Sequence, residues 1–255
     1  DQIVAIDAKP TDGLSIEEAV SRIRGPVDSI VALSIVRDKK LQDIKVTRAI
    51  IQIPKTDDGL DQASGVYRIA LYEFTSSSAN FFTEALMRFY ASKSNKLVID
   101  LRGNPGGYLD AAVMIASHFL PKGTQIVTED FDGKQKNKVH TSYGYNDVPR
   151  DTTIVVLIDG GSASASEILA GALKDHKRAT LIGTKTFGKG SVQQLISLAG
   201  GSLKVTVARW ITPSGHWIMG NGITPDITVP FSPKEDDTKV DSQMARAIQF
   251  LTTGK

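Results

Sequence analysis

The stretch that decides the fold is residues 154–167, IVVLIDGGSASASE. Its first five residues are all apolar and mostly β-branched, which is typical of a strand buried on both faces. The two glycines after Asp159 predict a tight turn. The Ser-x-x-Glu pattern from Ser164 to Glu167 matches a capping box, so a helix is expected to begin there. A buried strand, a turn and a helix in this order predict one unit of an α/β core.

The chain on both sides of this stretch alternates apolar strands with amphipathic helices. Strands are expected near 66–74, 96–101, 153–158 and 179–183. Helices are expected near 80–92, 109–119 and 166–175, with a closing helix over 239–252. Residues 202–229 are rich in β-forming residues and glycine turns. This alternation predicts an α/β core over residues 65–255.

The first 53 residues read as a smaller α+β unit. Its predicted elements are a strand over 1–8, a helix over 15–24 that opens on a capping box, and strands over 29–37 and 41–53. A unit of this size is too small to bury a good core by itself. The polar residues 54–64 are predicted to be a linker.

Composition narrows the classes of partner. The 255 residues carry a formal net charge of +2 and no cysteine. Such a balance, without a long basic run, predicts no nucleic-acid partner, and the absence of cysteine excludes disulfides and thiolate metal sites. No apolar stretch approaches 18 residues, so no transmembrane segment is expected. The chain opens on what reads as the middle of a strand, so we expect a cleaved precursor or a piece of a longer protein.

Ser164 is the candidate nucleophile. A serine at the start of a helix lies among backbone N–H groups that have no intrahelical acceptor, and the helix dipole favours negative charge there. Those donors suit the oxyanion that forms in acyl transfer. The capping box offers a purely structural explanation of the same serines, and the segment alone favours neither.

Lys189 is the candidate base, because it stands between Gly188 and Gly190. Flanking glycines let the backbone bend closely around the side chain. A lysine base must lose its proton, which burial beside apolar groups such as Phe187 favours. A Ser/Lys pair would need no catalytic histidine. Lys185 is the rival base, although it lacks the glycines.

The histidines offer a weaker alternative. His176 lies 12 residues beyond Ser164, mostly along one helix. This spacing corresponds to roughly 18 Å, which is out of reach for proton transfer. His216, beside Trp217, is not excluded by distance.

Four motifs occur in order along the chain: DLRGNPGG at 100–107, GSASASE at 161–167, TFGKG at 186–190 and TPSG at 212–215. Together they resemble the carboxyl-terminal processing, or tail-specific, proteases of peptidase family S41, and the resemblance covers nearly the whole chain. Residues 1–53 resemble the second half of that family's PDZ domain, whose first half would precede Asp1. Ala8 stands where the PDZ part usually has glycine, and His216–Trp217 replaces an Arg-Ser-like pair.

The resemblance implies a ClpP/crotonase-like spiral core of ββα units with a partial PDZ-like unit at the N-terminus. It implies that Ser164 is the nucleophile, that Lys189 is the general base and that Gln193 helps to hold the lysine amine. The implied oxyanion hole consists of two backbone N–H groups, one from Ala165 and one from either Gly106 or Gly107.

The activity that follows from the resemblance is an ATP-independent serine endopeptidase of the bacterial cell envelope. Its substrate would be a protein or peptide with a free C-terminus, and no metal or organic cofactor is implied. Homo-oligomerisation stays open. Two other functions are compatible with the same fold: a non-catalytic, PDZ-containing binding or scaffold protein, and a crotonase-type acyl-CoA enzyme.

Overall fold

The computed structural model describes residues 1–50, 56–198, 201–231 and 241–254. The chain divides into two compact units, Asp1–Ile53 and Pro54–Lys255.

The first unit is a four-stranded antiparallel sheet with one helix. Its elements are β1 (Gln2–Ile6), β2 (Lys9–Pro10), α1 (Ile16–Ile23), β3 (Ile30–Arg37) and β4 (Lys40–Thr47), and the strand order is β2-β1-β3-β4. Ser15 and Glu18 form the predicted capping box at the start of α1. The fully buried apolar side chains are few, namely Ile6, Val31 and Ile35. The last predicted strand ends at Thr47 instead of residue 53, and residues 51–53 lie outside the described part.

The second unit is built on a six-stranded sheet. Its strands are β5 (Thr56–Asp61), β6 (Val66–Leu71), β7 (Lys96–Asp100), β10 (Thr153–Ile158), β11 (Thr180–Gly183) and β14 (Ile227–Thr228), in the order β14-β11-β10-β7-β6-β5. All neighbours pair in parallel except β5 with β6, which pair antiparallel. A second sheet has the order β12-β13-β8-β9, formed by β8 (Gln125–Asp130), β9 (Lys138–Thr141), β12 (Ser191–Leu198) and β13 (Gly201–Ile211).

Helices cover both faces of the six-stranded sheet. The helices are α2 (Ser78–Ser92), α3 (Leu109–Ser117), α4 (Ala165–Asp175) and α5 (Ser242–Thr253). Alternate residues of β10 face opposite clusters: Val156 packs with α2, α3 and α4, whereas Val155 packs with Ala247 and Leu251 of α5. Burial on both faces explains why β10 is apolar throughout. The predicted mixed α/β fold is confirmed.

The prediction of a linker over 54–64 is wrong, because Thr56–Asp61 forms the edge strand β5. The segment is polar because it is an edge strand. The contacts that stabilise it come from residues of other elements. Asp58 accepts two hydrogen bonds from the Arg88 guanidinium of α2, at 2.6 and 2.9 Å, and one from the Tyr67 hydroxyl of β6. The hydrogen bonds from Arg88 lower the pKa of Asp58.

Candidate active site

The turn between β10 and α4 is held by the Asp159 carboxylate. Its Oδ1 accepts hydrogen bonds from the backbone N–H groups of Gly161 at 2.9 Å and Gly103 at 2.8 Å. The hydroxyls of Ser162 and Ser166 are buried and donate to carbonyl oxygens at 2.8 and 3.0 Å. These two serines therefore serve the packing of the turn, whereas Ser164 belongs to the capping box of α4 and is only half-buried.

Ser164 occupies an unusual backbone conformation immediately before α4. Its φ is +54° and its ψ is −113°, outside the regions that residues other than glycine normally adopt. Its side chain is half-buried. Such conformations cost free energy and concentrate at functional sites, where the surrounding structure enforces them.

The Gly106–Gly107 turn lies directly against this serine. A Cβ atom placed on Gly106 would lie 2.4 Å from the Ala163 carbonyl oxygen and 2.7 Å from the Ser164 Cβ. The φ of Gly106 is +93°, so both its conformation and its surroundings require glycine. The close approach brings two motifs, residues 100–107 and residues 161–167, into one site.

The backbone N–H groups around Ser164 differ in what they bond. The Gly106 N–H donates to the Asn104 Oδ1 at 2.9 Å, and the Asn104 amide in turn donates to the Leu71 carbonyl at 2.7 Å. Within the described ranges, the N–H groups of Gly107 and Ala165 donate to no acceptor. Ala165 is the first residue of α4, where N–H groups have no intrahelical acceptor. One of these unpaired donors therefore belongs to the residue after Ser164, and the other belongs to the residue after Gly106, which lies against Ser164.

Lys189 is connected to this site by a hydrogen bond of its backbone N–H. Its N–H donates to the Glu167 Oε2 at 2.9 Å, and the Ser164 N–H donates to the same oxygen at 2.8 Å. The Lys189 side chain is exposed, and Phe187, whose burial was expected to favour a neutral lysine, is 68% exposed. In the part of the chain that the structure describes, no hydrogen bond joins the Lys189 amine to the Ser164 hydroxyl. The fold thus joins the two backbones through one carboxylate oxygen, without a hydrogen bond between the two side chains among the described residues.

The remaining residues that the sequence offered for the site are Gln193, Lys185 and two histidines. Gln193 is exposed on β12, and Lys185 is exposed as well. His216 bonds the Gly222 carbonyl through its Nε2 at 2.7 Å, and the His176 Nε2 also bonds a backbone carbonyl. Both imidazoles bond the backbone through Nε2, and within the described ranges no hydrogen bond joins either of them to Ser164.

Three polar residues, Asn104, Glu167 and Thr186, were given no role in the chemistry of the site from the sequence. Glu167 is fully buried and accepts a hydrogen bond from the Thr186 hydroxyl at 2.6 Å, and Asn104 is fully buried beneath the Gly106 turn. All three lie inside the quoted motifs, which was the available signal. Their pairing joins distant parts of the chain and could not be read from spacing.

Neither a metal site nor a membrane-spanning helix is found in the described ranges. No group of three or more His, Cys, Asp or Glu side chains there could hold a metal ion. None of the described helices has the length and apolar character needed to cross a bilayer.

Comparison with known proteins agrees with the motifs. The family model for peptidase family S41 matches residues 65–229. The chain is 43% identical over 237 residues to a carboxy-terminal-processing protease of Bartonella bacilliformis, covering 90% of this chain and 54% of that protein. It is 36% identical over 241 residues to a probable CtpA-like serine protease of Staphylococcus aureus strain N315, covering 94% and 48%. The chain thus spans about half the length of these curated relatives.

Solved structures share the fold. The photosystem II D1 C-terminal processing protease superposes with a TM-score of 0.72 at 27% identity, over 98% of this chain and 67% of that one. A putative S41 protease from Bacteroides fragilis superposes with a TM-score of 0.62 over 99% and 70%, and its 15% identity makes this a likeness of fold alone. The resemblance read from the four motifs is confirmed: the chain belongs to peptidase family S41.

Proposed function

We propose that this chain carries the catalytic core of a serine endopeptidase that cleaves protein C-terminal tails with a Ser/Lys dyad. The observation that carries the proposal is the setting of Ser164. It has a strained backbone at a helix start, lies against Gly106, and shares one carboxylate oxygen with the backbone of Lys189. The names of the curated relatives support the same reaction class.

In the proposed reaction the Ser164 hydroxyl attacks the carbonyl carbon of the scissile peptide bond, and the Lys189 amine takes the hydroxyl proton. The tetrahedral oxyanion accepts hydrogen bonds from the N–H groups of Ala165 and Gly107. We choose Gly107 over Gly106 because the Gly106 N–H is already bonded to Asn104. Lys189 then gives the proton to the leaving amine, and water hydrolyses the acyl-enzyme ester. These steps consume no nucleotide, so the proposed cleavage is ATP-independent.

The exposed Lys189 side chain must turn toward Ser164 for this reaction. Catalytic hydrogen bonds are often long or absent in unliganded sites and tighten when substrate binds. We propose that a bound peptide covers the site and excludes water, which favours the neutral amine. Gln193, on the strand that follows the lysine segment, is the proposed partner of the amine in that state.

We further propose that residues 1–53 act as a partial PDZ-like unit and that residues 65–255 form an S41-type core of ClpP/crotonase type. The sheet of four strands with one helix supports the first assignment, and successive strand–helix units around a parallel sheet support the second. A PDZ-type unit binds an extended peptide and its terminal carboxylate, which fits a substrate with a free C-terminus. The proposed location is the bacterial cell envelope. Neither the scaffold function nor the acyl-CoA function is favoured by the relatives, whose names describe proteases.

The test is a proteolysis assay on a permanently unfolded protein without added nucleotide. Wild type is expected to cleave it, and Ser164→Ala is expected to be inactive although folded. A serine-reactive fluorophosphonate is expected to label Ser164. Undiminished cleavage by Ser164→Ala, or labelling at another serine, contradicts the proposal. Peptides with a free or an amidated C-terminus then test the specificity, because only the former should be good substrates.

A further inference from the structure

The Glu167 side chain, in the first turn of α4, is fully buried and accepts four hydrogen bonds. Its Oε1 accepts from the Thr186 hydroxyl at 2.6 Å and from the Gly188 N–H at 2.7 Å. Its Oε2 accepts from the N–H groups of Ser164 at 2.8 Å and Lys189 at 2.9 Å. Four donors match the four lone-pair positions of a carboxylate.

A capping box explains only one of these four hydrogen bonds, the one from the Ser164 N–H. The capping box of α1 in the same chain provides a comparison. Glu18 occupies the same capping-box position in α1, is exposed, and bonds the Ser15 N–H at 2.9 Å. Glu167 bonds the corresponding Ser164 N–H in the same way and accepts three more donors from residues 186–189. Burying a charged group is costly unless it is paired and hydrogen-bonded. A capping role alone would be served by an exposed glutamate such as Glu18.

We propose that Glu167 is a positioning residue that fixes the separation of Ser164 and Lys189. This inference rests on the proposed Ser/Lys function. Because one oxygen accepts from both N–H groups, the two backbone nitrogens cannot lie farther apart than two hydrogen bonds end to end. The carboxylate thereby fixes the point from which the Lys189 side chain has to reach the Ser164 hydroxyl.

Thr186 holds the carboxylate in this orientation. Its hydroxyl donates to the Glu167 Oε1 and accepts from the Ile223 N–H at 2.6 Å, and its side chain is buried. The hydroxyl is therefore a bridge between Glu167 and the backbone beyond β13. Glu167 acts through the nucleophile and the base and needs no contact with substrate.

The first test is Glu167→Gln. The glutamine amide has nearly the shape of the carboxylate, but its NH₂ group replaces one of the two acceptor oxygens. That NH₂ group, itself a donor, would then face two N–H or O–H donors. We expect kcat to fall about 10²-fold, since misplacement by about 1 Å costs this much, while KM changes less than about twofold. Fluorophosphonate labelling of Ser164 should slow because the serine is less well activated. The matched control is Glu129→Gln, which changes a buried carboxylate bonded to His140 on the second sheet and should keep the wild-type kcat.

A second pair of variants keeps the inference testable if Glu167→Gln does not fold. Thr186→Val removes the hydroxyl at nearly constant shape and should lower kcat about tenfold, the loss expected when one supporting hydrogen bond is removed. Thr186→Ser retains the hydroxyl and should restore most of the activity. Circular dichroism and the thermal midpoint, measured on every variant, show that each is folded at the assay temperature.

The outcomes separate this inference from the proposed function. If Ser164→Ala and Lys189→Ala are inactive but folded Glu167→Gln keeps the wild-type kcat, the positioning role is wrong and the dyad stands. An equal kcat for Thr186→Val and Thr186→Ser overturns the role of the bridge. If Ser164→Ala or Lys189→Ala cleaves normally, the proposed function itself fails. A kcat loss in Glu167→Gln at unchanged KM, with Thr186→Ser active and Thr186→Val impaired, supports the inference.

Discussion

The nucleophile turn, residues 159–166, and the lysine segment, residues 185–190, both bond Glu167, yet they are built differently. The turn is fixed by side chains: the Asp159 carboxylate accepts from the Gly161 N–H within the turn, and Asp159 and two buried serine hydroxyls bond the backbone of residues 101–104. The lysine segment is fixed through its backbone, while Phe187 and Lys189 project into solvent. Under the proposed mechanism, this difference means that the fold prepares the proposed nucleophile Ser164 and the proposed oxyanion donors in advance. The proposed base, Lys189, is positioned only at its backbone, and its side chain has to move to reach Ser164.

The largest effect on activity is expected from substitution of Lys189, in the lysine segment. Lys189→Arg keeps the positive charge but cannot act as a base, because arginine stays protonated in proteins. We expect kcat/KM to fall at least about 10³-fold, as fully as in Lys189→Ala. Initial cleavage rates of an unfolded protein measure this. Retention of most activity by Lys189→Arg would mean that lysine supplies only charge and that another group is the base.

The next largest effect is expected at Gly106, which lies against the nucleophile turn. A Cβ on Gly106 would overlap the Ala163 carbonyl and the Ser164 Cβ, so Gly106→Ala must displace the nucleophile. We expect kcat to fall about 10²-fold, the loss that follows a misplacement of the reacting groups by about 1 Å. Gly160→Ala is the control, because its Cβ would meet nothing within 4 Å and its φ is not positive. Wild-type kcat in Gly106→Ala would show that the turn is not fixed as described.

A smaller effect is expected from the support beneath that turn. Asn104→Ala removes the acceptor of the Gly106 N–H and the donor to the buried Leu71 carbonyl. Unsatisfied buried groups cost about 1–3 kcal/mol each, so the loss of these two bonds should lower the free energy of unfolding by about 2–6 kcal/mol, and kcat should fall as well. Urea unfolding measures the loss. Asn137→Ala, in an exposed turn, should change the free energy of unfolding by less than about 1 kcal/mol. Equal losses in the two variants would contradict the support role.

The smallest effect lies outside the site, at the edge strand β5. Asp58→Asn should lower the free energy of unfolding at pH 7 by about 0.5–1 kcal/mol and leave kcat unchanged, because the Arg88 partner is half-exposed. Since Arg88 lowers the pKa of Asp58, the wild type keeps this contribution above about pH 4 and loses it as the pH falls through the folded-state pKa. The difference between the two proteins should therefore narrow below about pH 4. A difference that stays constant from pH 7 to pH 2 would exclude this ion pair as its source.

The sequence predicts those parts of the molecule that local patterns determine. The apolar run of β10 and the capping box of α4 are complete within 14 residues, and both elements are confirmed. Strand β5 was missed because its polar residues are stabilised by Arg88 and Tyr67, which come from other elements. Strands β8 and β9 were missed although both contain β-forming residues, and β8 pairs with β13, a partner far along the chain that no local pattern indicates.

The candidate site divides in the same way. Ser164 and the two glycines could be found because each lies in a short motif with its own backbone requirement. The shared carboxylate could not be found, because its four donors lie 3 to 22 residues away and meet only in the folded chain. The exposure of Lys189 also follows from tertiary structure, since flanking glycines permit a close approach but do not enforce one.

The most direct test of the account is a crystal structure of the chain with a peptidyl boronate bound covalently to Ser164. The boronate stands in for the tetrahedral intermediate. We predict that the Lys189 amine lies within about 3.2 Å of the Ser164 Oγ, with a boronate oxygen facing the N–H groups of Ala165 and Gly107. The Glu167 carboxylate should keep its bonds to the backbones of Ser164 and Lys189. A Lys189 side chain that still projects into solvent in that complex, or a different base at the Ser164 Oγ, would contradict the account.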